Sequence, residues 1–268
     1  MTRRSTVTDK PDWLHTAVGA TDADHIWVAG RDLPSEVMGR LSLTELAYLL
    51  LVGREPTSGE RRVVDTVLVS LADHGITPSS LATRLTYTGA PEALQGAIAA
   101  GLLGAGSVFL GPAGDTALFV AEGVAAAGLT VDDPEERFAV VAAELVSSRR
   151  AAGERLPGLG HPIHRHQDPR TPRLYEIAEQ EGQLGPHLRL LAAVAEAHQA
   201  ASGKHLPING AGAAGAALVD VGIAPTIVRA FVLIARTAGL VAHLAEEMRA
   251  PIGKPLWLET ERRASNHG

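Results

Sequence analysis

The sequence predicts an almost entirely helical protein, and three observations support this fold class. Apolar side chains recur at the spacing of one helix face, for example from Val63 to Leu71. Capping-box signatures, in which serine or threonine is followed three residues later by glutamate, begin at Ser42 and Thr57. No stretch shows the apolar–polar alternation of a half-buried strand. We therefore expect an all-α fold.

The expected helices follow from start and stop signals taken in chain order. The first runs from Leu43 to about Val52, and the second follows Thr57 and stops near His74. Prolines in or beside a first turn mark further starts near residues 78, 91, 134, 172, 186 and 225. Alanine-rich helices are expected up to residues 104–106, from a turn at 111–115 to residue 128, and over 213–221. The last helix is expected to reach about Leu244.

Two glycine-containing polar turns, residues 111–115 and 204–212, are expected to be hinges. They divide the chain into an outer helical block, residues 1–112 and 213–268, and an inserted helical block, residues 113–212. We expect these blocks to be two domains.

The composition is that of an ordinary globular protein. The 268 residues are 46% hydrophobic, which is enough for a sizeable core, and no continuous apolar run predicts a membrane span. A net charge of −6 gives no support for nucleic-acid binding. The absence of cysteine excludes disulfides and thiolate chemistry. The first residues lack the apolar region of a secretory signal, so we expect a cytoplasmic protein with neither a membrane nor a nucleic-acid partner.

A segment rich in proline and glycine, residues 156–172, interrupts the helical pattern and is predicted to be a fixed binding loop. His161 follows a glycine, so its imidazole can donate to a ligand oxygen that the backbone approaches closely. Arg165 and Arg170 carry the planar guanidinium that recognises carboxylates and phosphates. The alternatives are a surface histidine at 161 and a structural turn in which Asp168 pairs with an arginine. We expect the loop to be an anion site.

Two residues outside the loop have both a functional and a structural interpretation. Arg236 lies in a helical run that is apolar nearly all round, and a buried arginine needs an anionic partner. A substrate carboxylate fits that requirement, and so do Asp220 and Glu246. His74 ends an apolar helix, where a protonated imidazole stabilises the carbonyl end, so a helix cap is the simpler interpretation of the residue taken alone.

No metal site is expected. The loop histidines at 161, 164 and 166 lie in a proline-broken segment and lack carboxylate neighbours at a matching helical interval. The glycines after Asn209 follow no predicted strand, so a dinucleotide-binding motif is not indicated either.

Taken together, four separated segments resemble the citrate synthase superfamily: residues 73–75, residues 158–161 with 168–170, residues 209–220, and residues 235–239. The short chain and the runs at residues 73–80 and 242–247 are most similar to citryl-CoA lyases and to the lyase module of ATP-citrate lyase. The resemblance extends from Trp13 to Trp257. It implies a citrate synthase-like fold, with a small helical domain inserted into a large one, and a homodimer.

The resemblance also implies the substrates and the roles of individual residues. His74 matches a histidine that binds the oxaloacetate portion, and His161 matches the histidine that polarises its carbonyl or the citryl hydroxyl. Arg170 and Arg236 match arginines that hold carboxylates. A coenzyme A thioester is the implied second substrate, and the residues matching its side of the site are Gly158, Leu159, Gly160, Arg165 and Lys204.

Two positions depart from the family pattern. The turn at residues 111–114 lacks the histidine with which citrate synthases stabilise the acetyl-CoA enol, and lyase-type relatives lack it too. Ala211 stands where the family carries an aspartate that exchanges a proton with the acetyl methyl group, and alanine cannot exchange a proton.

Three hypotheses for the function follow. The first is a citryl-CoA lyase-like enzyme that reversibly cleaves citryl-CoA, or a related 3-hydroxyacyl-CoA, to acetyl-CoA and oxaloacetate, with Asp115, His164 or a water in the missing role. The second is an acyltransferase that condenses another acyl-CoA with a 2-oxo acid. The third is a non-catalytic protein that binds CoA esters or dicarboxylates.

Overall fold

The computed structural model describes residues 16–264, and in them the prediction of an almost entirely helical fold is confirmed except for one small sheet. Contacts between residues divide the chain into two units, the first ending at Pro56 and the second beginning at Thr57. The two-domain division predicted from the hinges, with an insertion at residues 113–212, stays a prediction.

The first unit contains a small antiparallel sheet that the sequence pattern did not predict. Its strands are β1 (Gly19–Thr21), β2 (Ile26–Val28) and β3 (Arg31–Asp32), paired in that order. Ala29 and Gly30 both have positive φ, +51° and +75°, and form a tight two-residue connection between β2 and β3. Strands of two or three residues are too short to show the alternation on which sequence prediction depends. A π-helical turn (Leu33–Val37) and helix α1 (Leu43–Val52) complete the described part of this unit.

Helices account for most of the second unit. They are α2 (Ser58–Ala72), α3 (Pro78–Gly89), α4 (Leu94–Ala105), α5 (Gly111–Ala127), α6 (Glu135–Ala151), α7 (Arg170–Gln180), α8 (Pro186–Ser202), α9 (Gly210–Asp220), α10 (Val228–Arg249) and α11 (Gly253–Arg263). The capping boxes predicted at Ser42 and Thr57 are both present, each with reciprocal hydrogen bonds to the glutamate three residues later. Local signals therefore set the starts of α1 and α2.

Close helix packing builds the core of the second unit. Helices pack as the pairs α3–α4, α5–α9 and α6–α8, and α10 contacts α2, α3, α4 and α5. A Cβ at Gly215 would overlap the carbonyl group of Ala113, and one at Gly239 would overlap that of Ala72. Glycine at these two positions lets α9 lie directly on α5 and lets α10 lie on the end of α2. Small residues at these two positions therefore allow the close packing of the core helices.

Three sequence predictions about helix boundaries are wrong. Residues 111–115 are the first turn of α5 rather than a turn that precedes it, because Pro112 fits a first helical turn. The interruption lies earlier, at Gly106 with φ of +47°, followed by a π-helical turn over Gly106–Leu110. The last predicted helix continues to Arg249, and α11 was not predicted at all, since Pro255 in its first turn resembles a stop signal.

Two helical stretches, Leu94–Ala127 and Val228–Arg249, reach the length and mean hydropathy of a membrane span. The second stretch is α10, which packs against α2, α3, α4, α5 and α9. Core helices of soluble proteins commonly meet the same criteria, so these stretches are weak evidence for a membrane.

Candidate functional site

A cavity of about 990 Å³ lies within the second unit and collects most of the predicted site residues. Its volume is at the upper end of the range for small-molecule sites, about 300–1,000 Å³. The predicted residues that line it are His74, Gly158, Leu159, Gly160, His161, Arg170 and Arg236, together with Ala211. Arg165 and Lys204 are exposed and do not line this cavity.

Backbone hydrogen bonds fix the loop that carries His161. Gly158 and Gly160 both have φ of +82°, a conformation that favours glycine. The amide of Gly160 donates to Pro207 O at 2.7 Å, and the amide of Asn209 donates to Gly158 O at 2.9 Å. Asn209 also caps α9 through Gly212 N and donates from Nδ2 to Gly160 O at 3.0 Å. One asparagine therefore ties the loop to the start of α9.

Hydrogen bonds within the loop also fix the tautomer of His161. Its Nδ1 accepts from the amides of Ile163 at 3.1 Å and His164 at 3.0 Å, so the ring proton is on Nε2. Burial lowers the pKa of His161, and the neighbouring His164 and Arg170 lower it further, against the opposing charge of Asp168. His161 is thus a neutral imidazole whose Nε2–H can donate to a ligand oxygen.

Three histidines form a cluster beside this cavity. The ring centroid of His161 lies 4.4 Å from that of His164 and 5.6 Å from that of His74. Their nitrogen atoms lie within 4.8 Å of one another, which is close enough to consider a metal site. However, a metal ion bound at Nε2 of His161 would need a free lone pair on that nitrogen, so the ring proton would have to move to Nδ1. Nδ1–H would then face the amide hydrogens of Ile163 and His164. The hydrogen bonds of His161 therefore oppose a three-histidine metal site.

Arg170, in the first turn of α7, is held by a buried carboxylate. Its Nε and Nη2 donate to the two oxygens of Asp168 at 3.0 Å and 2.7 Å, and Asp168 also accepts from Gly210 N at 2.7 Å. Burial alone raises the pKa of Asp168, but Arg170 and the Gly210 amide outweigh it and bring that pKa well below the ordinary value. The structural pairing considered for Asp168 is present, and it orients Arg170 while the arginine still lines the cavity.

Arg236, on α10, is the less compensated of the two cations. The residue is 8% exposed, and its Nε is buried without a hydrogen-bond partner among residues 16–264. Neither acid considered as its structural partner is used that way, because Asp220 bonds His187 and Glu246 pairs with Arg84. Burial lowers the pKa of Arg236, and the charge of Asp73 opposes that effect. A buried guanidinium directed at a cavity is suited to an anionic ligand.

Four other charged side chains line the cavity, and of these the sequence indicated only Asp115, as a candidate proton carrier. Arg149 stacks on Phe119 at 5.2 Å and pairs with Glu154 at 2.6 Å, and Arg155 lies in the loop that follows. Both arginines line the cavity, and so do the exposed carboxylates Asp115 and Glu122 of α5. Arginine in the last turn of a helix is common for electrostatic reasons alone, so no local signal distinguished Arg149 from an ordinary surface residue.

Position 211 occupies the second residue of α9, directly after the turn that Asn209 caps. Ala211 lines the cavity and brings a methyl group to this end of the helix. The site therefore combines a neutral hydrogen-bond donor with several cations but has no ionisable group at this position. Fold and site together define a helical protein with a cavity suited to an organic ligand carrying several negative charges.

Comparison with known proteins identifies the family. Residues 15–256 match the family model described as "Citrate synthase, C-terminal domain". The chain belongs to the citrate synthase family, and the resemblance deduced from its motifs is confirmed.

Solved structures agree with this assignment. Citryl-CoA lyase from Hydrogenobacter thermophilus is 31% identical, with a TM-score of 0.83 over 95% of this chain and 94% of that one. An aspartate-to-alanine variant of ATP citrate lyase from Methanosaeta concilii, in complex with (3S)-citryl-CoA, has a TM-score of 0.71 at 22% identity. It matches 90% of this chain and 39% of its own, and this likeness supports the fold alone.

Curated relatives from two mycobacteria are longer than this chain. "Putative citrate synthase 2" from Mycobacterium bovis and Mycobacterium tuberculosis is 27% identical over 221 residues, covering 81% of this chain. The chain spans 56%, about half, of the length of these relatives.

Proposed function

We propose that the protein is a citryl-CoA lyase-like enzyme that reversibly cleaves citryl-CoA, or a related 3-hydroxyacyl-CoA, to acetyl-CoA and oxaloacetate. The observation that carries this proposal is the neutral His161, whose Nε2–H is available beside Arg170 and Arg236 in one cavity. Similarity to citryl-CoA lyase along almost the whole length of both chains supports it.

Cleavage of a 3-hydroxyacyl-CoA needs a partner for the hydroxyl oxygen, groups that hold the carboxylates, and a proton carrier. The hydroxyl gives its proton to a proton carrier, and its oxygen electron pair forms the ketone as the carbon–carbon bond breaks. The bond electrons leave as a thioester enolate, whose carbon takes up a proton from the same carrier. In this proposal Nε2–H of His161 stabilises the alkoxide oxygen in cleavage and the carbonyl oxygen in condensation. Arg170 and Arg236 hold the carboxylates of the oxaloacetate portion with His74, so that the charged fragment stays in place during bond cleavage.

The coenzyme is proposed to lie along the backbone of Gly158, Leu159 and Gly160. Arg149 and Arg155 line the same cavity and supply positive charge for its phosphate groups. Arg165 and Lys204 stay as proposed contacts of the coenzyme's charged end, outside the cavity lining. No metal is included, since the hydrogen bonds of His161 oppose one at the histidine cluster.

The remaining role in this mechanism is that of the group that protonates the enolate. Among the residues described in the cavity lining, the carboxylates are Asp115 and Glu122. Asp115 is the proposed proton carrier, with a bound water as the alternative. His164 lies beside His161 but does not line the cavity.

A second candidate function is favoured by Ala211 itself. A protein that binds a CoA ester or a dicarboxylate without turnover needs the arginines and the loop but no proton carrier. The methyl group at position 211 is what such a protein would have there.

One pair of measurements separates the two functions. Purified protein is incubated with citryl-CoA while oxaloacetate release is followed, and binding of acetyl-CoA and of oxaloacetate is measured by calorimetry. Turnover that is lost in His161→Ala supports the lyase. Binding without turnover supports the non-catalytic protein, and turnover that survives in His161→Ala would overturn the role given to His161.

We also propose that the chain acts in the cytoplasm as a homodimer of two-domain subunits, with the smaller domain at residues 113–212. Light scattering coupled to size-exclusion chromatography tests the dimer directly. A mass equal to one chain of 28.0 kDa would contradict it.

A further inference from the structure

A chain of hydrogen bonds outside the cavity ends at the turn that carries His74. Asp73 Oδ2 accepts from the amide of Gly75 at 2.6 Å, and Asp73 Oδ1 lies 2.7 Å from Nε2 of His243 on α10. Gly75 has φ of +73°, so this turn is a defined backbone conformation and not an extension of α2. Asp73 therefore fixes the residues on both sides of His74 and ties them to α10.

The tautomer of His243 is set by Arg84. Nδ1 of His243 lies 2.9 Å from Nη2 and 3.2 Å from Nε of Arg84, and a guanidinium can only donate. Nδ1 is thus the acceptor, which leaves the proton on Nε2 for the bond to Asp73. The imidazole links a cation on one side to a carboxylate on the other, and its side chain is only 10% exposed.

Arg84 is itself immobilised by buried acids. Its side chain is 1% exposed and donates to Glu247 at 2.9 Å, and Glu246 pairs with it as well. Glu247, also 1% exposed, accepts from the amides of Ile252 and Gly253 at the start of α11. A fully buried and paired guanidinium is a rigid anchor, because moving it would leave charges unpaired in the interior.

Asp73, at the end of this chain beside His74, also interacts with the charge of Arg236. Partial burial raises the pKa of Asp73, but the Gly75 amide, His243 and the charge of Arg236 outweigh it and bring that pKa below its ordinary value. The charge of Asp73 in turn favours the protonated form of Arg236. His74 and Arg236, which are both proposed to hold the oxaloacetate portion, are thus adjacent to the same carboxylate.

We infer that His243 is a positioning residue for the dicarboxylate half of the cavity. With Arg84 behind it, His243 holds Asp73, which sets the turn that directs His74 into the cavity and keeps a counter-charge near Arg236. This inference rests on the proposed function for its ligand, but the hydrogen-bond chain can be tested without any turnover.

The test compares variants of His243 with a matched control. His243→Leu removes both hydrogen bonds, whereas His243→Gln retains a donor and an acceptor. His187→Leu is the control, because His187 also contacts a carboxylate, Asp220, at 2.7 Å but does not line the cavity. Asp73→Ala is a second probe, because it removes both contacts of this carboxylate at a side chain that is 47% exposed.

Two readouts are measured, the exchange rate of the Gly75 amide hydrogen and the dissociation constants of oxaloacetate and acetyl-CoA. In His243→Leu the imidazole no longer holds Asp73, and in Asp73→Ala the Gly75 amide loses its acceptor. In both variants we expect Gly75 to exchange about tenfold faster, because the segment opens locally. We expect the dissociation constant for oxaloacetate to rise about tenfold, the effect of one lost charge-assisted contact, with that for acetyl-CoA within about twofold. His243→Gln should recover most of both effects, and His187→Leu should lower thermal stability without causing either effect.

Wild-type exchange at Gly75 in a folded His243→Leu variant would overturn the inference. So would an equal loss of affinity for both ligands, or the same selective loss in His187→Leu. If the wild-type protein binds neither ligand, the proposed function fails, and the exchange rate of Gly75 alone decides whether His243 positions the turn.

Discussion

Replacing Ala211 by aspartate should convert the cavity into one with a proton carrier at the start of α9. Ala211 is the second residue of this helix, it lines the cavity, and it follows the Asn209 cap. A carboxylate in a first turn is stabilised by the helix dipole by about 0.3–1 kcal/mol. This gain offsets the weaker helix propensity of aspartate relative to alanine, about 0.7 kcal/mol at most. The variant should therefore fold with a free energy of unfolding within about 1 kcal/mol of wild type.

The catalytic effect should be much larger than the effect on stability. A positioned general acid or base typically accelerates a proton transfer by about 10² to 10⁴. At about 1.36 kcal/mol per factor of ten, that corresponds to roughly 3–5 kcal/mol of activation free energy. We expect Ala211→Asp to raise the rate of oxaloacetate release from citryl-CoA by at least about 10², and to speed deuterium exchange from solvent into the acetyl-CoA methyl group similarly.

Ala211→Asn is the matched control, because asparagine has the same shape and cannot transfer a proton. If asparagine gives the same increase as aspartate, the gain comes from packing and the reasoning is refuted. If aspartate leaves turnover unchanged while substrate binding is retained, proton transfer at position 211 does not limit the reaction, and Asp115 becomes the residue to replace.

Three further predictions follow from the charged groups of the site. Arg236→Met should weaken oxaloacetate binding about 100-fold, as measured by calorimetry. It should also raise the free energy of unfolding in urea by about 1 kcal/mol, because a buried charge without a full partner lowers the stability of the fold. Stability equal to or lower than that of the wild type would contradict this. Asp168→Asn should lower the free energy of unfolding by about 3 kcal/mol at pH 7, since it leaves Arg170 without its carboxylate. Because the folded-state pKa of Asp168 lies below its unfolded value of about 3.9, that difference should be complete above about pH 5 and should shrink as the pH falls, so a difference independent of pH would refute it. The lowered pKa of His161 places the acid limb of turnover below about pH 6.5, and an acid limb above that pH would show that another group titrates.

Local signals in the sequence account for much of the fold. Ser42 and Thr57 have the side chains that cap a helix, and α1 and α2 begin where these signals place them. Proline was less informative, because Pro112 and Pro255 both stand inside first helical turns, where a local pattern does not distinguish a start from a break. Both errors have the same cause, since proline is compatible with a helix start as well as with a break.

The site was harder to predict from the sequence than the helices, because its residues come from segments that are far apart along the chain. His161, Arg170 and Arg236 belong to a motif pattern, and the fold brings them to one cavity. Nothing in the sequence around Arg149 or His243 specifies a partner that is distant along the chain. The contacts of these two residues depend on how α6 and α10 pack, and this packing cannot be read from local patterns.

The buried guanidinium of Arg236 and the methyl group of Ala211 bear on different steps of the proposed chemistry. Holding a poorly compensated cation in the interior lowers stability, and an anionic ligand that binds there would offset this cost. The neutral tautomer of His161 is likewise fixed before any ligand arrives. These features favour binding and polarisation of a substrate oxygen, and neither supplies the proton that the enolate needs. Binding and turnover are therefore separable properties of this cavity, and a ligand at 100 times its dissociation constant should stabilise the fold by about 2.7 kcal/mol whether or not the bond is cleaved.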